Sequence, residues 1–368
     1  NAGASLPPRP VLDTVTEYLR EECRYGGYVV AECHVERLSS VYDTLAALVG
    51  ADRSEIALTD SATRAWDSVF SAMTFRNGDR ILTTSSEYAS NVIAFLQAAR
   101  RSGASVEFVP NRPTGEIDPD ALESLIDERV CLIAINHVPT NSGLVNPAAD
   151  VGRVANAHRV PYLLDACQSV GQMPVDVESI GCDLLSATSR KFLRGPRGAG
   201  FLCVRAAMLE QLEPSVLDLY GARWEALDRY VMRPDARRFE LWERSPALML
   251  GMGEAAAYAM QVGVDEIWER ITWLGAMLRA ALTGVRGVTV RDIGLVQGAI
   301  VTFTVNGRDA NVVKAALRDQ AINVSVVTPS SARFDMEERQ LPDLVRASVH
   351  YFNTEQEVER LVEAVFAL

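Results

Sequence analysis

Two residues at consecutive predicted strand ends have side chains that could carry chemistry. One apolar run ends on the carboxylate of Asp165, and the next leads to Lys191, just ahead of a glycine-rich turn over residues 195–200. A carboxylate can hold a pyridine nitrogen in its protonated form, which makes the ring an electron sink. A lysine amine can form a Schiff base with an aldehyde and later move a Cα proton. The pair therefore indicates pyridoxal 5′-phosphate (PLP) as cofactor.

Each of these two residues also has an ordinary structural interpretation. Most lysines that follow a strand lie on the surface, but Lys191 follows an apolar run and precedes a turn. Asp165 could cap a helix or form a structural ion pair, because an unpaired carboxylate at the end of a buried strand is costly. A protonated pyridine nitrogen would supply the missing charge and would lower the pKa of Asp165.

A phosphate site is predicted where a strand meets a helix at residues 59–64, Thr-Asp-Ser-Ala-Thr-Arg. Backbone N–H groups and hydroxyls at a helix N-terminus bind phosphate, and Ala62 and Thr63 occupy that position. Simple N-capping is the alternative, since it uses the same residue types. Thr188 and Arg190 flank the lysine and could add a hydroxyl and a cation.

Three further side chains complete the predicted site. Tyr88 opens a helix after the next strand and could stack on the cofactor ring, although a packing role is nearly as plausible. Gln168 could reach a phenolic oxygen. Arg346 lies inside an apolar strand, where its guanidinium could clamp a substrate α-carboxylate or pair with an interior Asp or Glu.

The elements that position these residues alternate between apolar, strand-like runs and helical segments over most of the chain. This pattern predicts an α/β fold with a mostly parallel central sheet covered by helices, and ligands bind at the carboxyl ends of such strands. After residue 251 the pattern changes to that of a smaller α+β unit. We therefore expect an N-terminal segment (1–24) that packs with the small domain, a large PLP-binding domain (25–251) and a small C-terminal domain (252–368). The polar segment 329–340 is predicted to be a mobile loop.

The composition of the chain argues against several classes of protein. The net charge of −12 over 368 residues argues against a general binder of nucleic acid or anionic membranes. No apolar run approaches the roughly 20 residues that span a bilayer. Six cysteines without a CxxC pair indicate buried thiols and a cytoplasmic location. Four scattered histidines lack metal-ligand spacing, so we expect no metal site.

Taken together, these motifs resemble the class V aminotransferase family of fold-type I PLP enzymes. The opening Asn1-Ala-Gly-Ala and the closing run from Arg346 to Thr354 are similar to the family's terminal signatures. The resemblance implies that Lys191 is the Schiff-base lysine and that Asp165 contacts the pyridine nitrogen. It also implies the phosphate-binding, ring-stacking and substrate-binding roles described above. It adds three residues to the predicted site. Thr140 is assigned to the cofactor, and Asn1 and Tyr28 to the substrate.

Three departures from the family pattern refine the expected function. The loop ahead of the closing arginine lacks the cysteine that desulfurases use as a nucleophile. Thr-Ser-Arg-Lys at residues 188–191 is similar to the branch that contains C–S lyases and isopenicillin N epimerase. The threonine that contacts the neighbouring subunit's phosphate is absent, and Arg244 is a candidate substitute.

The resemblance implies a PLP-dependent lyase that breaks the Cβ–S bond of a cysteine S-conjugate (cysteine, thiocysteine or a cysteine sulfoxide). The products would be a sulfur species, pyruvate and ammonia. An ergothioneine-type sulfoxide lyase and a lyase domain of a larger natural-product synthase both remain open. The alternatives are an epimerase or aminotransferase on the same site, then a desulfurase or a non-catalytic PLP-fold protein. A homodimer is implied, and the substituent on sulfur is left open.

Overall fold

The computed structural model describes residues 5–368, which form 14 α-helices and 13 β-strands. The helices are α1 (Arg9–Tyr25), α2 (Gly27–Cys33), α3 (Val35–Val49), α4 (Ala62–Phe70), α5 (Ala89–Ser102), α6 (Pro119–Leu125), α7 (Ala148–His158), α8 (Val177–Ile180), α9 (Ala206–Leu209), α10 (Pro246–Val262), α11 (Val264–Thr283), α12 (Ala310–Asp319), α13 (Arg333–Glu338) and α14 (Glu355–Phe366). The strands are β1 (Ile56–Thr59), β2 (Arg80–Thr84), β3 (Ser105–Val109), β4 (Val130–Asn136), β5 (Tyr162–Asp165), β6 (Leu184–Thr188), β7 (Gly200–Val204), β8 (Ala222–Ala226), β9 (Arg229–Met232), β10 (Val288–Val290), β11 (Ile300–Val305), β12 (Ser325–Val327) and β13 (Leu344–Ser348).

The central sheet has seven strands in the order β1-β7-β6-β5-β4-β2-β3. Strands β3, β2, β4, β5 and β6 pair in parallel, and β7 lies antiparallel between β6 and β1. The predicted α/β fold with a mostly parallel sheet is confirmed. All strands except β7 point the same way, so the carboxyl ends of β1, β4, β5 and β6 meet at one edge.

Apolar side chains cover both faces of this sheet. Successive residues in a strand point to opposite faces. Leu164 and Leu185 therefore belong to one buried cluster, whereas their neighbours Leu163 and Leu184 belong to the other. Burial on both sides explains why these strands are continuously apolar in sequence.

A second sheet lies in the C-terminal third of the chain. Its four antiparallel strands run in the order β10-β11-β13-β12. Strand β13 is central, and Thr302 of β11 pairs with Arg346 of β13 in register. This arrangement sets Arg346 inside a fully buried strand.

The predicted domain boundary at residue 251 stays a prediction. That residue lies inside α10, which continues without a break to Val262 and packs against α1 and α3. The sequence of α10 is rich in Ala, Gly and Met, so the helix is apolar nearly all round and carries no internal stop signal. We propose the same division into domains, with the boundary at Gly263, where the backbone turns at a φ of 94°.

The segment 329–340 was predicted to be a mobile loop, and that prediction was wrong. Residues Arg333–Glu338 form α13, in which Asp335 and Met336 are buried. Phe334 stacks on Phe108 with ring centroids 4.0 Å apart, and the Ser331 carbonyl accepts a hydrogen bond from the Ala89 amide at 3.1 Å. The segment is therefore a packed wall beside the start of α5.

Within residues 5–368, no helix is long and apolar enough to cross a membrane.

Candidate active site

A cavity of about 250 Å³ lies at the carboxyl edge of the central sheet, between that sheet and Arg346 of the second sheet. Ten of the twelve residues predicted to bind cofactor or substrate line it. They are Ala62, Thr63, Tyr88, Thr140, Asp165, Gln168, Thr188, Arg190, Lys191 and Arg346. Their roles stay predictions, but the fold brings them to one place.

Lys191 follows β6 in a tight turn that leads towards β7. The turn is closed by a hydrogen bond from the Gly195 amide to the Ser189 carbonyl at 2.7 Å. Next to the lysine, the Phe192 carbonyl lies 3.0 Å from Nε2 of the buried His350. Because the Tyr351 amide donates to Nδ1 of that ring, Nε2 is the donor to Phe192. The backbone around Lys191 is thus fixed on two sides.

The Lys191 amine has the electrostatic setting of a proton-transfer group. Burial lowers its pKa, and the nearby cations Arg346 and Arg190 lower it further, whereas Cys167 and Asp165 act in the opposite direction. A depressed pKa increases the fraction of neutral amine at physiological pH. A neutral amine can attack a carbonyl or accept a proton.

Asp165 ends β5 and lies at the inner side of the cavity. Its Oδ1 accepts a hydrogen bond from the Cys167 amide at 2.9 Å, and its Oδ2 accepts one from the Asn91 side chain at 3.0 Å. Each oxygen is therefore oriented by one donor and keeps lone-pair capacity for a ligand.

The N-terminus of α4 forms the opposite side of the cavity. Ser61 caps the helix by accepting a hydrogen bond from the Arg64 amide at 3.2 Å, which leaves the amides of Ala62 and Thr63 at the first turn. Strand β7 passes close behind this turn, since a Cβ at Gly200 would lie 2.8 Å from the Ala62 nitrogen. Glycine is required there for the strand to support the helix end.

Tyr88 lies directly before α5, with its ring on one side of the cavity. The Lys191 Nζ atom is 6.0 Å from the centre of this ring. The side chain is only partly covered within the chain. An aromatic face at this distance from the amine could cover a planar ring bonded to that amine.

Arg346 points from β13 into the cavity and is held by neutral groups. It donates to the Thr140 hydroxyl at 2.8 Å, to Ser348 Oγ at 3.1 Å and to Gln168 Oε1 at 3.3 Å. Burial and the charge of Arg190 lower its pKa to about 10. A buried guanidinium with neutral partners has the charge to bind an added carboxylate.

The side-chain amide of Gln168 forms hydrogen bonds through both its nitrogen and its oxygen. Its Nε2 donates to the Pro139 carbonyl at 2.9 Å, while Oε1 accepts from Arg346. The predicted contact of Gln168 with a phenolic oxygen stays a prediction.

Two described residues discussed in the sequence, Tyr28 and Arg244, do not line the cavity. Tyr28 is 82% exposed on α2 and does not line the cavity, so its substrate role stays a prediction. Asn1 lies outside the described residues 5–368. Arg244 forms an ion pair with the buried Glu240 and lies 3.2 Å from the Tyr42 hydroxyl. Its predicted contact with a partner's phosphate remains untested.

Six lining residues were not among the predicted site residues: Ser61, Trp66, Asn91, Asn136, Val138 and Cys167. Ser61 and Cys167 stand within motifs that the sequence did single out. Asn91 stands four residues after Glu87 at the start of a predicted helix, and this spacing places two side chains on one face. The four-residue spacing between Glu87 and Asn91 was the sequence signal from which Asn91 could have been predicted.

The cavity fits PLP. It presents a lysine amine of depressed pKa, a carboxylate with a free face, a helix N-terminus and an aromatic ring on one side. Arg346 supplies a buried cation for a substrate carboxylate.

Comparison with known proteins supports the same conclusion. A probable cysteine desulfurase of Methanothermobacter thermautotrophicus is 28% identical over 375 residues, which cover 99% of this chain and 93% of that protein. The apo structure of a cysteine desulfurase from Thermococcus onnurineus matches 100% of this chain and 93% of its own, with a TM-score of 0.92 at 24% identity. A cystine C–S lyase in complex with cysteine persulfide matches 99% and 96%, with a TM-score of 0.89 at 22% identity.

The family comparison covers nearly the whole sequence. The model of the class V aminotransferase family matches residues 1–361. This match includes the turn that carries Lys191 and the strand that carries Arg346. The chain therefore belongs to the class V aminotransferase family.

Proposed function

We propose that this protein is a PLP-dependent carbon–sulfur lyase that performs β-elimination on a cysteine S-conjugate. The cofactor is PLP, and the reaction class is cleavage of a carbon–sulfur bond. The cleavage releases the sulfur species together with pyruvate and ammonia. Cysteine, thiocysteine and cysteine sulfoxide derivatives are the proposed substrate class.

The observation that carries this proposal over a desulfurase concerns the cysteines. Of the residues that line the cavity, Cys167 is the only thiol, and α13 and its flanking residues contain none. Burial and the charge of Asp165 raise the pKa of Cys167 well above its usual value. The thiol rather than the thiolate is thus the stable form, and only the thiolate is a good nucleophile for sulfur. This favours release of sulfur without an intermediate protein persulfide.

The remaining side chains have roles that suit β-elimination. Arg346 is positioned to bind the substrate α-carboxylate, which would orient Cα towards Lys191. The Lys191 amine is the proposed base that removes the Cα proton, and its depressed pKa suits that task. Asp165 would hold a proton on the cofactor's pyridine nitrogen, and Tyr88 would cover one ring face. When bound, PLP supplies the electron sink that stabilises negative charge at Cα.

Product analysis tests this proposal. The protein is incubated with PLP and, separately, with cysteine, cystine, S-substituted cysteines and their sulfoxides. A lyase yields pyruvate and ammonia in equal amounts, together with the released sulfur compound. A desulfurase yields alanine instead, and an epimerase or aminotransferase yields racemised or keto products that keep Cβ–S intact. Alanine as the main product, or no pyruvate from any substrate, would overturn the lyase assignment.

The variant Cys167→Ala separates the two sulfur chemistries. We expect it to release pyruvate within about threefold of the wild-type rate, because no bond to this thiol is required. Loss of all sulfur release in this variant, with retained cofactor absorbance, would favour a desulfurase that uses Cys167.

We also propose that the protein is a homodimer. The hairpin of β8 and β9 exposes Trp224 and Tyr230, which pair across the two strands, and Trp224 is 74% exposed. Aromatic side chains grouped in this way are typical of a protein–protein interface. Sedimentation that finds only monomer at micromolar concentration would contradict the proposal.

A further inference from the structure

A second buried carboxyl group lies behind Asp165. Glu87 lies in the short segment between β2 and α5 and is 3% exposed. Its hydrogen bonds come from neutral groups: the Tyr88 amide at 2.8 Å, the Asn91 side chain at 2.9 Å, the Thr83 hydroxyl at 3.3 Å and the Asn136 backbone amide. Glu87 does not line the cavity, so a ligand cannot neutralise it by direct contact.

Asn91 connects the two carboxyl groups. Its Nδ2 donates to Glu87 Oε1 at 2.9 Å and to Asp165 Oδ2 at 3.0 Å. An amide nitrogen has two hydrogens, and each is used for one carboxyl group. Asn91 lies in the first turn of α5, so the start of this helix places the amide between the two carboxyl groups.

The electrostatics of the pair favour one negative charge rather than two. Burial and, to a smaller extent, the charge of Asp165 together raise the pKa of Glu87 to about 8, against the lowering effect of the hydrogen bonds. The titratable groups that face Glu87 from β5 are Asp165 and Tyr162, and neither is a cation. Asp165, in contrast, also acts on the Lys191 amine.

We propose that Asn91 and Glu87 are positioning residues for Asp165. Asn91 fixes Oδ2, and Glu87 keeps its proton, so that Asp165 alone presents negative charge to the pyridine nitrogen. This inference rests on the PLP site described above, but not on the fate of the substrate sulfur. Loss of the Glu87 proton at high pH places a second negative charge behind Asp165 and changes the electronic state of the bound ring.

The test uses cofactor affinity and the visible absorption spectrum of the bound cofactor over the pH range from about 6 to about 10. The wild-type spectrum is expected to contain a transition centred near pH 8 that Glu87→Gln removes, since glutamine keeps the shape but cannot ionise. Asn91→Leu is expected to weaken PLP binding by about tenfold, because Asp165 loses a donor and its fixed orientation. Glu123→Gln, at an exposed position on α6, is the matched control and should leave both measurements unchanged.

Two results would overturn the proposal. One is a transition near pH 8 that persists unaltered in Glu87→Gln. The other is wild-type PLP affinity in folded Asn91→Leu. If Glu87→Gln does not fold, the infrared band of a protonated carboxyl group in the wild-type protein provides the test, and the absence of a band that titrates near pH 8 overturns the proposal. A failed lyase assignment would change the products but not these spectra, so the two failures can be distinguished.

Discussion

The two ends of the cavity differ in the charge of their buried groups, because one contains carboxyl groups and the other contains cationic side chains. At the acidic end, Asp165 lines the cavity and the buried Glu87 lies behind it, and both accept hydrogen bonds from the Asn91 amide. At the cationic end, Arg346 is buried among neutral acceptors close to Lys191 and Arg190. Each end alone keeps a charge in a poorly solvated place, which is destabilising. A ligand with a protonated ring nitrogen and an anionic group would offset both costs.

This difference also explains how the pKa values change at each end. Burial raises the pKa of Glu87 at the acidic end and lowers those of Lys191 and Arg346 at the cationic end. Burial disfavours the charged form in each case. The poorly solvated surroundings therefore favour the neutral form of the Glu87 carboxyl group and the neutral form of the Lys191 amine.

Removal of the amine at the cationic end should have the largest effect. We expect Lys191→Ala to lower the rate of pyruvate release by at least about a thousandfold, because the proton at Cα loses its base. The chain contains only one other lysine, Lys314. Lys314→Ala is the matched control and should retain the wild-type rate. Near-normal turnover by Lys191→Ala would remove the lysine from the mechanism.

Loss of the guanidinium at the cationic end should act on substrate binding. Arg346→Ala is expected to raise KM by roughly 10- to 100-fold, which is the usual value of a charged hydrogen bond to a carboxylate, with a smaller change in kcat. Steady-state kinetics of pyruvate release measure both constants. Arg286→Ala, at an exposed position, provides the comparison. An unchanged KM would mean that the substrate carboxylate binds elsewhere.

Two groups of buried residues should change stability with pH in opposite directions. Burial lowers the pKa of His137 to about 4 and that of His350 to about 3, against an ordinary value of 6.5. Between these values the unfolded chain binds the proton and the folded chain does not. The stabilisation is therefore complete above about pH 6.5 and is lost as pH falls, by up to about 1.4 kcal/mol per pH unit for each histidine.

Glu87 should act in the alkaline direction. Its pKa is raised from 4.5 to about 8, so the folded state holds a proton that the unfolded state releases. Stability should then decline as pH rises from about 4.5 to about 8. Urea unfolding of the cofactor-free protein at several pH values measures both effects. His137→Gln should flatten the acid side, whereas His158→Gln, at a largely exposed position on α7, should not.

A substitution in segment 329–340, which contains α13, should have the smallest effect on cofactor binding. Phe334→Ala removes the stack on Phe108 and is expected to lower the free energy of unfolding by about 1 kcal/mol, because the ring is partly exposed. PLP affinity should stay within about twofold, since both ends of the cavity are intact. Phe366→Ala in the terminal helix serves as the control. A large loss of cofactor would mean that the wall helps to hold the ligand.

Local sequence signals were sufficient for the sheet and for most of the site. Parallel strands end at a common edge, so Asp165 and Lys191 could be placed together without knowledge of any contact. The hydroxyl residues at the start of α4 and Arg346 within β13 could also be recognised, because polar residues there interrupt apolar runs of sequence. These residues have unusual types for their positions, which is why sequence reasoning found them.

Other features depend on contacts that sequence patterns do not encode. Asn91 contacts Asp165 across 74 positions of the chain, and an asparagine at the start of a helix is unremarkable by itself. The helix α13 looked like a loop because it is polar, but Asp335 is buried through bonds to Asn141 and Arg339. The boundary at residue 251 stays a prediction, and the sequence did not show that this residue lies inside α10, a helix that packs on α1 and α3.

The most direct measurement is reductive trapping of PLP on the purified protein. The protein is incubated with PLP, reduced with borohydride, digested and analysed by mass spectrometry. With only two lysines in the sequence, the assignment is unambiguous. The account predicts a stoichiometric adduct on Lys191 and none on Lys314, with loss of the adduct in Lys191→Ala. An adduct confined to Lys314, or none at saturating PLP, would contradict it.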